Sequence, residues 1–132
     1  MKKYAAHFLF DGMKLIKNAI VSVDNQYRID IEYNDFIIEK SNMSFYNGIL
    51  IPKFSLKKFS YEELHNFVKI LLKLQNNTNN IEKILSEFIM FLQPENLFLE
   101  LNFQQKTGFL LLENLDLQNL KITQKTFFLQ LF

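Results

Sequence analysis

The side chains of this chain that can do acid–base or metal chemistry are its histidines, carboxylates and lysines, because it contains no Cys. The two histidines, His7 and His65, lie far apart in the sequence; His7 has no second candidate ligand nearby, and His65 lies beside the apolar stripe of a predicted helix. A catalytic zinc site takes three protein ligands, so this spacing does not predict one. We expect His7 to lie on the surface or at the edge of a strand, and His65 to pack beside a helix or face solvent.

The carboxylates have the spacing of helix caps and turns. Glu62 and Glu63 are adjacent, and adjacent residues of a helix do not face each other. Glu63 follows Ser60 by three residues, the spacing of a capping box in which each side chain binds a main-chain N–H of the first turn. Asp11 and Asp116 are predicted to be turn residues, since Asp accepts hydrogen bonds from nearby main-chain N–H groups.

Motifs for a nucleophile or a phosphate are absent from the sequence. Lys57 and Lys58 are too few for an anion site and are predicted to form a solvated link. There is no G-x-S-x-G nucleophile elbow, no G-x-x-x-x-G-K and no G-x-G-x-x-G. With three Gly in the whole chain, a main-chain cradle for phosphate is not expected, and no cofactor is predicted.

Length and charge limit the remaining possibilities. A chain of 132 residues fits one domain and is too short for a (β/α)8 barrel, which needs about 200 residues or more. The formal charge of +1 leaves no basic excess for nucleic acid, and no apolar run reaches the roughly 20 residues of a membrane-spanning helix. Because no signal-peptide pattern follows Met1, we expect a cytoplasmic protein that binds neither nucleic acid nor membrane.

Alternation of apolar and polar side chains predicts strands in the first part of the chain. It is strictest in residues 27–33, where one face of a half-buried strand is apolar. A strand over residues 45–51 is expected to stop at Pro52. Residues 11–12 and 24–26 are predicted to form turns. The strands predicted before residue 54 are 3–10, 18–23, 27–33, 36–39 and 45–51.

A period near 3.6 residues predicts two helices between residues 60 and 92. Residues 76–80 break the period, and the second helix is expected to begin after an N-cap at Asn79 and to end at Pro94. Strand character returns in residues 108–113 and 127–132. Residues 115–123 are predicted to contain a turn and a short strand.

Together these elements predict an α+β fold in a single domain over residues 1–132. Its parts are the N-terminal strands (1–54), a helical pair (60–92) and the C-terminal strands (103–132). The simplest packing brings both groups of strands into a small β-sandwich with the two central helices against one side, because apolar strand faces must be covered.

Three N-terminal segments follow one another in a familiar order. Residues 4–12 read YAAHFLFDG, residues 17–24 read KNAIVSVD and residues 45–54 read FYNGILIPKF. In this order they resemble the beginning of amidohydrolase-superfamily enzymes, in the cytosine-deaminase-like or chlorohydrolase-like branch. The last of the three is similar to the strand that leads into the barrel of those enzymes.

The C-terminal segments resemble the same family. Residues 106–113 read KTGFLLLE and continue as NLDLQNLKIT in residues 114–123. Both are similar to the closing strands of the family, and residues 81–92 look like the helix before them. Members build a small β-sandwich from these terminal pieces, outside a metal-dependent barrel. The resemblance therefore implies a composite domain of that kind.

The catalytic part of the family has no counterpart here. Its first barrel strand carries an H-x-H pair, and residues two apart on a strand point to the same side and reach one metal ion. In this chain Lys53 stands where the family has Gly, and residues 53–59 contain no His. We expect that the barrel has been lost, that the chain binds no metal and that it is not an enzyme.

The predicted function is therefore non-catalytic. Loss of a barrel exposes apolar surface, so the chain is expected to act as a binding or structural subunit, through self-association. Phe91, Phe127, Phe128 and Phe132 are the candidate interface residues, although the C-terminal ones also fit a place in the core. Two alternatives stay open: a regulatory subunit of an active amidohydrolase, and a small-molecule binding module in the cleft between sandwich and helices.

Overall fold

Strands from both ends of the chain form one sheet, and two helices lie between them in sequence. The computed structural model describes residues 2–25, 29–33, 43–53, 58–92 and 108–131. The α+β class predicted from the sequence is confirmed. The elements, in chain order, are β1 (Lys2–Phe10), β2 (Leu15–Lys17), β3 (Ala19–Val23), β4 (Ile29–Tyr33), β5 (Met43–Lys53), α1 (Tyr61–Gln75), α2 (Ile81–Leu92), β6 (Gly108–Glu113) and β7 (Phe127–Gln130).

All the described strands belong to a single hydrogen-bonded, seven-stranded sheet with the order β4-β3-β1-β5-β6-β7, in which β2 also pairs with β1. The neighbours β1 and β5 run parallel, and every other described pair is antiparallel. The strands of the predicted sandwich are thus joined in one sheet. Because β1 lies next to β5, the N-terminal and C-terminal groups of strands meet at this parallel pair.

A hairpin places β2 and β3 opposite β1. Its turn is the predicted one: Asp11 Oδ1 accepts hydrogen bonds from the main-chain N–H groups of Met13 at 2.8 Å and Lys14 at 2.7 Å. The residue between β2 and β3 is Asn18, which has a positive φ of 59°. Asn tolerates this left-handed conformation better than most residues, so the arm bends there and keeps its register with β1.

The second hairpin pairs β3 with β4, from Ala19 opposite Tyr33 to Val23 opposite Ile29. This confirms the C-terminal part of the strand predicted over residues 27–33. The short strand predicted over residues 36–39 lies outside the described residues.

The strand β5 continues through Pro52, so the prediction that it stops there is wrong. On one side Pro52 pairs with Phe109 of β6, and on the other side the described register with β1 ends at Leu50. Proline lacks a main-chain N–H and is tolerated where a strand lies at an edge. Beyond Leu50, no pairing with β1 is described, so the side of β5 that faces β1 is an edge at Pro52.

The helices begin at side-chain caps. The capping box predicted for α1 is confirmed: Ser60 Oγ accepts from the N–H of Glu63 at 3.1 Å, and Glu63 Oε1 accepts from the N–H of Ser60 at 3.0 Å. The helix α2 begins one residue later than predicted, because Asn80 and not Asn79 caps it through a 3.2 Å hydrogen bond from the N–H of Lys83. Both residues have suitable side chains for a cap, and Ile81 in the first turn is buried.

Two side chains of α2 tie the helix to the first hairpin. Glu82 Oε2 accepts a hydrogen bond from the main-chain N–H of Leu15 at 2.8 Å, and Ser86 Oγ donates to the carbonyl oxygen of Gly12 at 3.1 Å. The orientation of α2 on the sheet is therefore fixed by polar contacts as well as by its apolar face.

The C-terminal strands lie close to their predicted positions in the sequence. The strand β6 has the predicted bounds, and β7 ends at Gln130, earlier than predicted. The predicted turn and short strand in residues 115–123 correspond to a tight loop closed by a single β-bridge between Asp116 and Lys121.

Apolar clusters lie on both faces of the sheet. The first cluster fills the space between the sheet and the helices, and the rings of Phe67, Phe88 and Phe128 pack together at its centre with centroids 5.5–6.2 Å apart. Among the described residues, the second cluster is built from strands alone. Its buried members are Ala6, Leu9, Ala19, Val21, Val23, Leu50, Phe109 and Leu111.

Candidate functional site

The two histidines lie on different elements, each beside an aromatic ring. His7 is exposed on β1, with its ring edge-on to Phe45 at a centroid separation of 5.4 Å. His65 is exposed on α1 and stacks on Tyr61, with the ring centroids 6.4 Å apart. Both placements agree with the sequence prediction. Within the described ranges, no three His, Cys, Asp or Glu side chains are grouped so that they could hold a metal ion.

The carboxylates singled out in the sequence stabilise local structure. Asp116 accepts hydrogen bonds from the main-chain N–H of Asn119 at 3.1 Å and from its side-chain amide at 2.9 Å. The side-chain bond from Asn119, followed by its main-chain bond, lowers the pKa of Asp116 below its usual value. This carboxylate is therefore a turn residue, as predicted. Of the two lysines considered as an anion site, Lys58 is exposed and Lys57 lies outside the described residues.

The four phenylalanines predicted as interface residues have different surroundings. Phe91, near the end of α2, is 61% exposed, and Phe127, at the start of β7, is 40% exposed. Phe128 is 5% exposed and packs in the first cluster, so it fills the core. Phe132 lies outside the described residues. Phe91 and Phe127 are thus the members of this set whose side chains are accessible.

The strand β7 carries another exposed apolar side chain, which the sequence interpretation missed. Successive side chains of a strand point to opposite faces, so Phe127 and Leu129 share the face that Phe128 does not. Leu129 is 39% exposed. Tyr61 of α1 lines the same small hollow as Phe127 and is 86% exposed. We call Tyr61, Phe127 and Leu129 the edge patch, because β7 is the outermost strand on this side of the described sheet.

The signal for the edge patch is present in the sequence but ambiguous. Residues 127–129 read Phe-Phe-Leu, so both faces of the strand are apolar and alternation does not say which face is covered. The covered face is decided by Phe67 and Phe88, which come from the two helices and contact Phe128.

An open cavity of about 660 Å³ lies where β1 and β5 begin. The rings of Tyr4 and Tyr46 form part of its wall and stack with centroids 6.3 Å apart and planes inclined by 23°. Lys2 and Lys3 also line it. We call this feature the tyrosine cavity. Both tyrosines pack against the second cluster, which in the described residues contains no helix side chain, so the cavity is not the predicted cleft between strands and helices.

The tyrosine cavity changes the acidity of one of its phenols. Burial raises the pKa of Tyr4 above its usual value, and the neighbouring phenol of Tyr46 raises it further. The fold therefore favours the neutral form of the Tyr4 side chain.

In comparisons with protein-family models, curated proteins and solved structures, the chain matches none. The resemblance to amidohydrolases therefore stays a prediction, and the function is argued below from the described residues. No helix among them has the length and apolar character needed to cross a membrane.

Proposed function

We propose that this protein is a non-catalytic binding subunit that self-associates by joining β7 of one copy to β7 of a second copy. The observation that carries the proposal is the exposure of two large apolar side chains, Phe127 and Leu129, on the same face of the outermost described strand. Outermost strands can extend a sheet by pairing with another chain.

The proposed contact is self-complementary. In an antiparallel β7–β7 pair centred on Phe128, Phe127 of each copy stands opposite Leu129 of the other, so a two-fold axis generates the same contact twice. Cross-strand pairs of an aromatic and an aliphatic side chain stabilise antiparallel sheets by roughly 0.2–1 kcal/mol each. Burial of the exposed ring and methyl groups adds about 25 cal/mol for every Å² of apolar surface removed from water.

Charge supports a second copy as the partner. The strand β7, with the sequence FFLQ, has no charged side chain and no Pro, the usual features that keep sheet edges from pairing. The formal charge of the chain is +1, so two copies repel each other little. A strongly charged partner would find no complementary group on this strand.

The non-catalytic part of the proposal is supported by the positions of the histidines. His7 and His65 are exposed on separate elements and each contacts an aromatic ring. The resemblance to the terminal strands of amidohydrolases supports the same conclusion, because in that family the metal ligands belong to the barrel.

Sedimentation velocity at micromolar concentration tests the proposed dimer. We expect the wild type to sediment as a dimer and the variants Phe127→Lys and Leu129→Lys to sediment as monomers, because each places an ammonium group in the centre of the contact. Met13→Lys is the matched control: it makes the same change of charge at an apolar residue that is 73% exposed in the β1–β2 turn. It should remain a dimer, and circular dichroism should show that all three variants are folded.

A further variant, Phe91→Lys, separates the edge patch from the exposed end of α2. If the wild type is a monomer throughout the micromolar range, self-association is wrong. If the dimer dissociates in Phe91→Lys but persists in both β7 variants, the pairing of β7 strands is wrong.

A further inference from the structure

The tyrosine cavity has the size of a small-molecule site. Its volume of about 660 Å³ lies within the roughly 300–1,000 Å³ typical of ligand pockets. Its wall combines the two tyrosine rings with more polar than apolar neighbours: Lys2, Lys3, Ser44, Gln130, Met43 and Leu131. Its two rings, Tyr4 and Tyr46, come from the two central strands of the sheet, and Gln130 and Leu131 at the end of β7 also line it.

Neighbouring strands place the two rings of the aromatic wall side by side. Tyr4 lies on β1 opposite Ser44 of β5, and Tyr46 lies opposite Ala6, so the two rings project from the same face of a parallel pair of strands. Both rings pack against the second cluster, whose members Ala6 and Leu50 are at most 2% exposed. Two inclined rings fixed in this way present a surface on which a planar ring can stack.

The charges around the cavity have one sign. Lys2 and Lys3 line it, and the described lining contains no Asp or Glu. Ammonium groups beside an aromatic wall favour an anion, because each ammonium offers hydrogen-bond donors as well as charge. A ligand with an anionic group near the lysines and a ring against the tyrosines would contact both kinds of surface at once.

We propose that the tyrosine cavity binds a small planar aromatic anion, with its ring against Tyr4 and Tyr46 and its anionic group beside Lys2 and Lys3. The proposed self-association depends on Phe127 and Leu129, and neither of these side chains lines the cavity, although Gln130 of the same strand does.

Three probe compounds test the ring contact and the anion contact separately. 2-Naphthoate is planar and anionic, 2-naphthalenemethanol is planar and neutral, and cyclohexanecarboxylate is anionic but not planar. Titration of the full chain, followed by amide NMR shifts, should give saturable binding of 2-naphthoate with a Kd below about 1 mM and shifts centred on residues 2–4 and 44–46. The other two compounds should bind at least about tenfold more weakly, since each lacks one of the two interactions.

Variants of the cavity residues identify the side chains that bind 2-naphthoate. The double variant Lys2→Gln, Lys3→Gln and the single variant Tyr46→Leu should each weaken 2-naphthoate binding by about tenfold or more. The matched control is Lys14→Gln, Lys83→Gln, which removes the same charge from two exposed lysines elsewhere and should leave the Kd unchanged. Tyr4→Phe keeps the ring that makes the proposed contact and should bind as the wild type does.

The proposal is wrong if 2-naphthoate shows no saturable binding, if it binds no better than its neutral analogue, or if the control variant loses as much affinity as the Lys2 and Lys3 variant. Repeating the titration with Phe127→Lys distinguishes this outcome from a failure of self-association, because that variant is expected to be a monomer with an intact cavity.

Discussion

The side-chain amide of Gln75 exchanges two hydrogen bonds with the main chain of Ile122. Gln75 Nε2 donates to the carbonyl oxygen of Ile122 at 2.9 Å, and Gln75 Oε1 accepts from the N–H of Ile122 at 2.8 Å. The last residue of α1 thus satisfies both main-chain groups of a residue in the loop before β7. Ile122 itself is buried in the first cluster, so the pair joins the helix to the C-terminal loop at the edge of the core.

Replacing Gln75 by Ala should lower the free energy of unfolding by about 2 kcal/mol, because two partly buried main-chain groups lose their partner. Chemical denaturation followed by circular dichroism measures the change. Lys69→Ala, at an exposed position of the same helix, is the control and should change the value by less than about 0.5 kcal/mol. Because Ala is the best helix former, helix propensity would not explain a loss in either variant, and equal changes in both would contradict a contribution from the hydrogen-bonded pair.

The variant Gln75→Glu adds a pH dependence to this prediction. Its carboxylate can accept from the N–H of Ile122 but repels the carbonyl oxygen, whereas its protonated form can do both. The folded protein should therefore raise the pKa of this carboxyl group above the ordinary value of about 4.3. The stability lost relative to wild type should be small below that pH and should grow as the pH rises towards neutrality.

Gly48 is a position where any side chain conflicts with the neighbouring strand. A Cβ at this residue of β5 would overlap the carbonyl oxygen of Leu112 on β6. Because that oxygen belongs to main chain in the middle of the sheet, it has little freedom to move. Gly48→Ala should therefore destabilise the protein by at least about 2 kcal/mol. Ser44→Ala, at an exposed position of the same strand, should be nearly neutral in the same denaturation experiment.

Phe88 and Phe91 lie on the same helix, but replacing them is expected to change the free energy of unfolding by very different amounts. Phe88 is fully buried, and the centroid of its ring lies 5.5 Å from those of Phe67 and Phe128. Phe88→Ala should therefore lower the free energy of unfolding by about 3–5 kcal/mol. Phe91 is 61% exposed, and Phe91→Ala should cost less than about 0.5 kcal/mol. Thermal and chemical denaturation of the two variants measures the difference. A large loss in the Phe91 variant would show that its side chain is covered in solution.

Tyr4 should make the fold sensitive to alkali. Burial and the phenol of Tyr46 raise the pKa of Tyr4, so the folded protein holds this proton more tightly than the unfolded chain. The associated stability is present below the ordinary tyrosine pKa of about 10 and is lost as the pH rises above it. Ultraviolet titration of tyrosinate should show a late phase that is missing in Tyr4→Phe. The free energy of unfolding of that variant should fall less steeply with pH above this point.

Local features of this fold were predictable from the sequence because they depend on neighbours in the chain. Ser60 and Glu63 form a capping box by virtue of their spacing, and Asp11 makes its turn with the next three residues. The apolar run of β6 is bounded by Gly108 and Glu113 in both sequence and structure.

Features decided by distant residues were not predictable in this way. Whether Pro52 ends its strand depends on where β1 stops, and the pairing of β1 with β5 has no sequence signal, since it joins residues about 40 positions apart. Phe127 and Phe128 are identical side chains, and the helices determine which of them is buried. The tyrosine cavity depends on the same parallel pairing, because Tyr4 and Tyr46 become neighbours through it.

The topology of the sheet has a consequence for the order in which it assembles. The strands β1 to β4 lie within residues 2–33, and β1 pairs with β3 and β3 with β4 over short distances in sequence. The pairing of β5 with β6, in contrast, joins residues 48–53 to residues 108–113. Closing the longer segment costs more chain entropy, and contacts between distant residues slow folding. We therefore expect the N-terminal hairpins to form early, with the overall rate set by the encounter of β5 and β6.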